Sequence, residues 1–144
     1  MKRRWMTAVL AILLVLALGA AQAETYLSSY TYEVIDETNA ERSRYGLSEL
    51  RVDPELMAAA RVRAEEIMRK FSHTRPDGTM WRTVSGAVYG ENIARGHNNP
   101  DRVMAAWMSS SGHRENVLKA GYGSIGVCCL QAGNVCYWVQ LFGK

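Results

Sequence analysis

The sequence predicts an α+β fold, a three-layer sandwich with helices on both sides of a sheet. Three observations predict it. Helical periodicity fills the first half of the chain, from Tyr32 to about Lys70, and returns over 101–108. Strand-forming residues then crowd the C-terminus, in "GYGSIGVCCL" and "VCYWVQLFG". The last of these strands is apolar on both faces: Cys136, Trp138 and Phe142 on one, Val135, Tyr137, Val139 and Leu141 on the other. A strand buried on both faces needs cover on both sides of its sheet. Helices first and strands later give α+β rather than α/β.

The chain starts with a basic stretch, Lys2, Arg3 and Arg4, followed by an apolar run from Ala8 to about Gly19 and then Ala21-Gln22-Ala23. That is the pattern of a secretory signal peptide cleaved after Ala23. The run is short of the roughly 20 apolar residues that span a bilayer, so an uncleaved anchor is the weaker reading, and no stable span is expected after processing. Cleavage also changes the charge. The chain has 17 basic and 14 acidic residues; without the three basic residues of the leader the two signs balance. Nothing in the mature balance points to a nucleic-acid partner. The expected organisation is a signal peptide at 1–23, a lead-in at 24–33 and one domain at 34–144.

The first helix presents Val34, Ile35, Thr38, Asn39, Arg42 and Tyr45 at helical spacing, and Gly46 can take the left-handed position after its end. Asp53 and Pro54 are an N-cap and a first helical residue for the second, which runs on Leu56, Ala59, Ala60, Val62, Arg63, Ile67 and Met68. Pro76-Asp77-Gly78 is a turn, with His73 at its lip. Asn99 and Pro100 open a third helix with Val103, Met104 and Trp107 as its buried positions. "SSSGHRENVL" restarts a short helix after a break at Gly112. "QAGN" is the loop of the C-terminal hairpin.

Three cysteines stand in that hairpin, and export would permit a disulfide. A two-residue turn at Ala132-Gly133 opposes Cys129 to Cys136 and leaves Cys128 free on the other face. A register shifted by one residue opposes Cys128 to Cys136 instead.

The residues able to carry chemistry are few. His73, His97 and His113 are the only histidines, and Glu91 sits in "GENIA". Two imidazoles and a carboxylate with an open position would suit zinc or a similar divalent ion. Their spacing is no local metal motif, and each has a structural role open to it. His73 can bond backbone in a loop. Glu91 can accept from exposed amides at a helix start. His113 can sit in the first turn of a helix capped by Ser111. His97, beside two asparagines, reads as a solvated loop residue.

The order of segments adds to this. "FSHTRPDG", "GENIA", "W…SSSGHRENVL", "GYGSIGV" and "YWVQLFG" resemble, in order and spacing, the bacterial branch of the CAP superfamily of cysteine-rich secretory, venom-antigen and pathogenesis-related proteins. The resemblance covers about Val34 to Gly143. It implies an α-β-α sandwich with a central antiparallel sheet and a surface cleft, to which His73 and Glu91 contribute. The sequence departs from animal and plant members at two cleft positions, where Ser110 replaces a glutamate and Tyr137 a histidine; His113 then looks like a replacement cleft residue. Similar proteins bind sterols, other lipids, divalent metals or partner proteins. The resemblance therefore implies a secreted binding module for a small lipid or sterol-like ligand, a cell-envelope component or a protein, with no cofactor required. The alternative is a metal-dependent hydrolase with His73 and His113 as zinc ligands and Glu91 as ligand or general base. A cysteine enzyme using Cys128 or Cys129 is the weakest reading.

Overall fold

The computed structural model describes residues 23–144. The signal-peptide reading falls on residues outside these, Ala23 excepted. The described chain runs β1 (Glu24–Tyr26), α1 (Ser28–Arg44), β2 (Arg51–Val52), α2 (Pro54–Arg69), a 3-10 turn (Trp81–Val84), β3 (Gly90–Arg95), α3 (Pro100–Met108), α4 (Ser111–Val117), β4 (Ser124–Ala132) and β5 (Val135–Gly143). The sheet has the order β1-β4-β5-β3, all antiparallel, with β2 lying parallel beside the start of β4. The outer edge of β4 is therefore shared: β2 covers Ser124 and Ile125, and β1 covers Leu130 to Ala132.

The three layers follow from the two-faced strands. On one face Cys129, Trp138 and Phe142 pack with Val34 and Ile35 of α1, Val103, Met104 and Trp107 of α3, and Val117 of α4. On the other, Cys128, Leu130, Val139 and Leu141 meet Leu56, Ala60, Ala64 and Ile67 of α2. α2 and α3 start where the sequence says they should. The Asp53 carboxylate accepts from the amides of Glu55 and Leu56, with Pro54 at the first helical position. Asn99 accepts from the Arg102 amide at the start of α3. The Arg42 guanidinium is buried among four backbone carbonyls, those of Ser48, Val117, Lys119 and Tyr122, so α1 holds the end of α4. Where α2 crosses β4, contact is backbone to backbone: a Cβ on Gly126 would lie 2.2 Å from the Leu56 carbonyl carbon.

Four expectations change. The lead-in is ordered from Glu24 to Tyr30: it forms β1 and the start of α1, four residues earlier than the period at Tyr32 suggests, because exposed Ser28 and Ser29 hide the helical period. Glu91 stands at no helix start: "GENIA" lies in a buried strand, β3, whose polar side chains find partners inside. Val62 of α2 is exposed. The hairpin turn is Gly133-Asn134, one residue later than expected. Gly133 takes φ 58° while Asn134 does not take positive φ, the pattern of a type II′ turn.

The later turn changes the register on which both cysteine pairings rested, so that neither Cys129 nor Cys128 directly opposes Cys136. Cys136 faces Gln131, and Cys129 faces Trp138. Cys129 and Cys136 share a face as diagonal rather than directly opposed neighbours, and their thiols are in hydrogen-bonding contact. All three thiols are free and buried. Burial pushes Cys128 up to about 12, and raises Cys129 and Cys136 as well. The thiolate is the reactive form, so the folded protein should leave Ellman's reagent unreacted at pH 8, and unfolding in urea should release three thiols per chain. A single reactive thiol in urea would restore a disulfide.

Candidate functional site

Arg63 explains the site. It falls on the buried stripe of α2, among Ala59, Ala60, Ala64 and Ile67. A guanidinium there cannot be left unpaired, since an isolated buried charge costs several kcal/mol. It meets Glu91 of β3 in a two-pronged pair, Nε to Oε2 at 2.6 Å and Nη2 to Oε1 at 3.1 Å. The two side chains are 1% and 0% exposed. The same guanidinium donates to Glu66 at 2.6 Å and to the Ser72 carbonyl at 2.9 Å. Arg75 closes the row on Glu66 at 2.7 Å. Burial alone would lower the Arg63 pKa and raise that of Glu66. The opposed charges outweigh it, holding Arg63 above and Glu66 below their ordinary ranges.

His73 ends the row. Its Nδ1 lies 2.8 Å from Glu91 Oε1, and its side chain is 53% exposed. The contact to a carboxylate assigns the proton to Nδ1, which leaves Nε2 of the neutral ring as an acceptor.

A second, uncharged row lies on the opposite face of the sheet. Asn92 donates to the Gln140 side chain at 2.9 Å and to the His113 carbonyl at 3.0 Å. Asn116 donates to Asn92 at 2.9 Å and to the Glu91 carbonyl at 3.2 Å. Gln140 donates to Thr38 at 2.7 Å. These bonds tie α4 to β3 and so fix His113 in space. Its Nδ1 lies 2.9 Å from Ser110 Oγ. Ser110, not Ser111, is the N-cap, and its hydroxyl serves the imidazole instead of a backbone amide. Gly112 lies within α4; the chain breaks at Ser109 and Ser110. Burial first, and the charge on His73 second, lower the His113 pKa.

Glu91, His73, His113 and Ser110 thus gather around β3, the edge strand, with the two histidines contributed from opposite sides of the sheet. Tyr137 does not join them. It opposes Arg95, whereas Glu91 opposes Leu141, a separation of about 13 Å along the strands. His97 serves through its carbonyl, which accepts from Trp138 Nε1 at 2.8 Å. The expected divalent-ion set of His73, His113 and Glu91 does not fit. Among the described residues no three His, Cys, Asp or Glu side chains are placed to hold a metal, and both Glu91 oxygens are committed to Arg63 and His73. Arg63, Glu66, Asn92, Asn116 and Gln140 were not anticipated as site residues. Arg63 carried a signal, as a cation at a position whose neighbours one turn away are apolar.

The His113 pKa yields a test. Replacing His73 with Gln should raise it only part of the way to the ordinary 6.5, because burial is the larger cause. A proton NMR titration of the His113 ring reads this. Because the folded pKa is depressed, His113 contributes stability above its unfolded pKa that is lost as pH falls through that value toward the folded one. A full return to the ordinary value in His73→Gln would mean that charge, not burial, sets it.

Residues 35–142 match the family described as the cysteine-rich secretory protein family, CAP. The chain is 36% identical over 128 residues to the uncharacterized protein YkwD of Bacillus subtilis, covering 83% of this chain and 49% of that one. It thus spans about half the length of this curated relative. An extracellular SCP-domain protein of Bacillus anthracis superposes with TM-score 0.71 at 26% identity, over 81% of this chain and 41% of that chain. An outer surface protein of Borrelia burgdorferi shares the fold, with TM-score 0.76 at 23% identity over 85% and 98% of the two chains. No helix among the described residues is long and apolar enough to cross a membrane.

Proposed function

The chain belongs to the cysteine-rich secretory protein family, CAP, and from that premise we propose that it is a secreted, non-enzymatic binding module whose ligand sits on His73 and His113 at the β3 edge. The observation that carries this reading is the pairing of Glu91 with Arg63. A carboxylate held on both oxygens inside the protein is a poor general base and a poor metal ligand. Its role here is to hold His73. With Nδ1 held on Glu91, the neutral ring offers Nε2 as an acceptor, which suits a ligand that presents hydroxyl groups. A lipid or sterol-like alcohol and the hydroxyls of a cell-envelope component both have that chemistry. Export is part of the proposal: the secreted protein should begin at Glu24, which N-terminal sequencing reads directly.

Native mass spectrometry of the secreted protein tests the binding reading. Wild type should carry a small molecule that the His73→Ala, His113→Ala double variant does not. Identical spectra would remove the histidines from the site. The hydrolase reading makes the opposite forecast, zinc-dependent turnover of a peptide or ester library that vanishes in Glu91→Gln. We expect no such turnover.

A further inference from the structure

β3 is the edge of the sheet beside the histidines, and only β5 pairs with it. In an antiparallel pair every second residue turns its amide and carbonyl toward the neighbouring strand. Gly96 donates to the Cys136 carbonyl at 2.9 Å, straight across the register. That fixes the phase. Gly90, Asn92 and Ala94 bond β5, whereas Glu91 and Ile93 turn their main-chain groups outward. The outward carbonyls are already occupied. Asn116 of α4 donates to that of Glu91 at 3.2 Å, and Trp107 of α3 to that of Ile93 at 3.4 Å. The outward amides are open: among the described residues no carbonyl or side chain accepts from Glu91 or Ile93 N–H.

Main-chain amides in buried strands are paired almost without exception, so open donors at a cleft call for an acceptor from outside the fold. Glu91 locates the opening. Its side chain is fully buried, yet the residue keeps 4% of its surface exposed, and that surface is therefore main chain. His73 is bonded to the Glu91 carboxylate, and Asn116, on the same helix as His113, to its carbonyl. The open amide thus lies between the two histidines.

This edge selects its ligand by what it lacks. It offers donors without acceptors, so an added peptide strand does not suit it: the N–H groups of such a strand would meet carbonyls that Asn116 and Trp107 already occupy. It does not call for an anion, because Arg63 and Arg75 in the row behind it are spent on Glu91 and Glu66. A lone alcohol would serve His73 Nε2 and leave the amide open. A neutral carbonyl beside a hydroxyl satisfies both.

We propose that the β3 edge binds an N-acylated amino sugar, whose acyl carbonyl accepts from the Glu91 amide while a sugar hydroxyl donates to His73 Nε2. The inference rests on the reading of His73 as a hydroxyl acceptor and adds the second polar group of the same ligand.

NMR titration of the amide signals with tri-N-acetylchitotriose, with cellotriose and with the blocked peptide acetyl-trialanine amide tests it. The two sugars differ in the acylamino group; the peptide has acyl carbonyls but an N–H at every residue. The acetylated sugar should bind wild type about ten-fold tighter than cellotriose, the contribution of a neutral hydrogen bond to an otherwise open donor, and should move the Glu91 amide signal. The peptide should not bind. The His73→Ala, His113→Ala variant should weaken both sugars and leave their ratio unchanged. Equal affinity for the two sugars would overturn the proposal, as would binding that leaves the Glu91 amide signal in place, or peptide binding as tight as that of the acetylated sugar. Equal affinities together with a molecule carried by wild type and lost from the double variant would sink this inference alone. Acetylated-sugar binding at the Glu91 amide that is untouched in the double variant would keep the acyl contact and overturn the histidine reading.

Discussion

Replacing Arg63 with methionine should destabilise the protein by about 3–5 kcal/mol, the usual result of stripping one partner from a buried ion pair. The loss is not that of a contact. Glu91 is wholly buried and would keep its charge with only His73 beside it; Glu66 would retain Arg75. Two comparisons separate this cause from packing. The double variant Arg63→Met, Glu91→Met should be less destabilised than Arg63→Met alone, because no buried charge is left over. Lowering the pH should narrow the gap between Arg63→Met and wild type. A carboxylate left unpaired in the interior loses its desolvation penalty once it is protonated, so acid favours the variant's fold relative to wild type. Urea unfolding at two pH values measures both. An Arg63→Met variant within about 1 kcal/mol of wild type at neutral pH would show that the pair does not hold the site.

Gly126→Ala should be comparably severe, near or above about 3 kcal/mol, at the upper end for an overpacked core. The added methyl would meet the Leu56 carbonyl carbon at 2.2 Å, its oxygen at 2.3 Å and the Met57 nitrogen at 2.5 Å. These are backbone atoms of the first turn of α2, and no rotamer change relieves them. The helix must tilt or slide, and Arg63 would move with it, two turns further on. His73 resonances should therefore shift, although the substitution is on another strand. Gly112→Ala is the control. It adds a methyl in α4 with nothing within 4 Å, and a gain of about 0.5 kcal/mol is expected there from helix propensity. A Gly126→Ala protein with wild-type stability and spectra would mean that α2 does not sit on β4 as described.

The elements with strong end signals were legible in the sequence. Asp53-Pro54 and Asn99-Pro100 mark helix starts by a chemistry that needs no tertiary partner, and the two-faced apolar pattern of β5 announces helices on both sides. The elements that failed are those defined by their neighbours. β1 has three residues, too few for a period, and exists because the end of β4 needs an edge. β3 carries Glu91 and Asn92 inward, so its pattern reads as polar until Arg63 and Gln140 are known to meet them. The hairpin register turned on whether Ala132-Gly133 or Gly133-Asn134 makes the two-residue turn, and a single-residue difference moved both cysteine pairings. The site shows the same division. His73, Glu91, His113 and Ser110 could be singled out as residue types in recognisable segments. That Glu91 is neutralised by an arginine from α2 follows from a packing angle, which spacing along the chain does not encode. Tyr137 was assigned to the cleft by the resemblance alone, and the register that sets it opposite Arg95, four residues along from Glu91, follows from strand pairing that the sequence does not print.

The shared outer edge of β4 has a consequence for how the chain is made. An unpaired edge is a template on which other chains aggregate, and β4 is long and apolar. The segments that close it, β1 and β2, both precede it in sequence by about seventy residues or more. A polypeptide delivered N-terminus first has both closing segments in hand before β4 appears, so the hazardous edge need never wait for its cover. The order is unfavourable only if the N-terminal residues are lost. A protease that removed 24–27 would leave most of the core intact while uncovering Leu130 to Ala132, turning the domain into a seed for self-association.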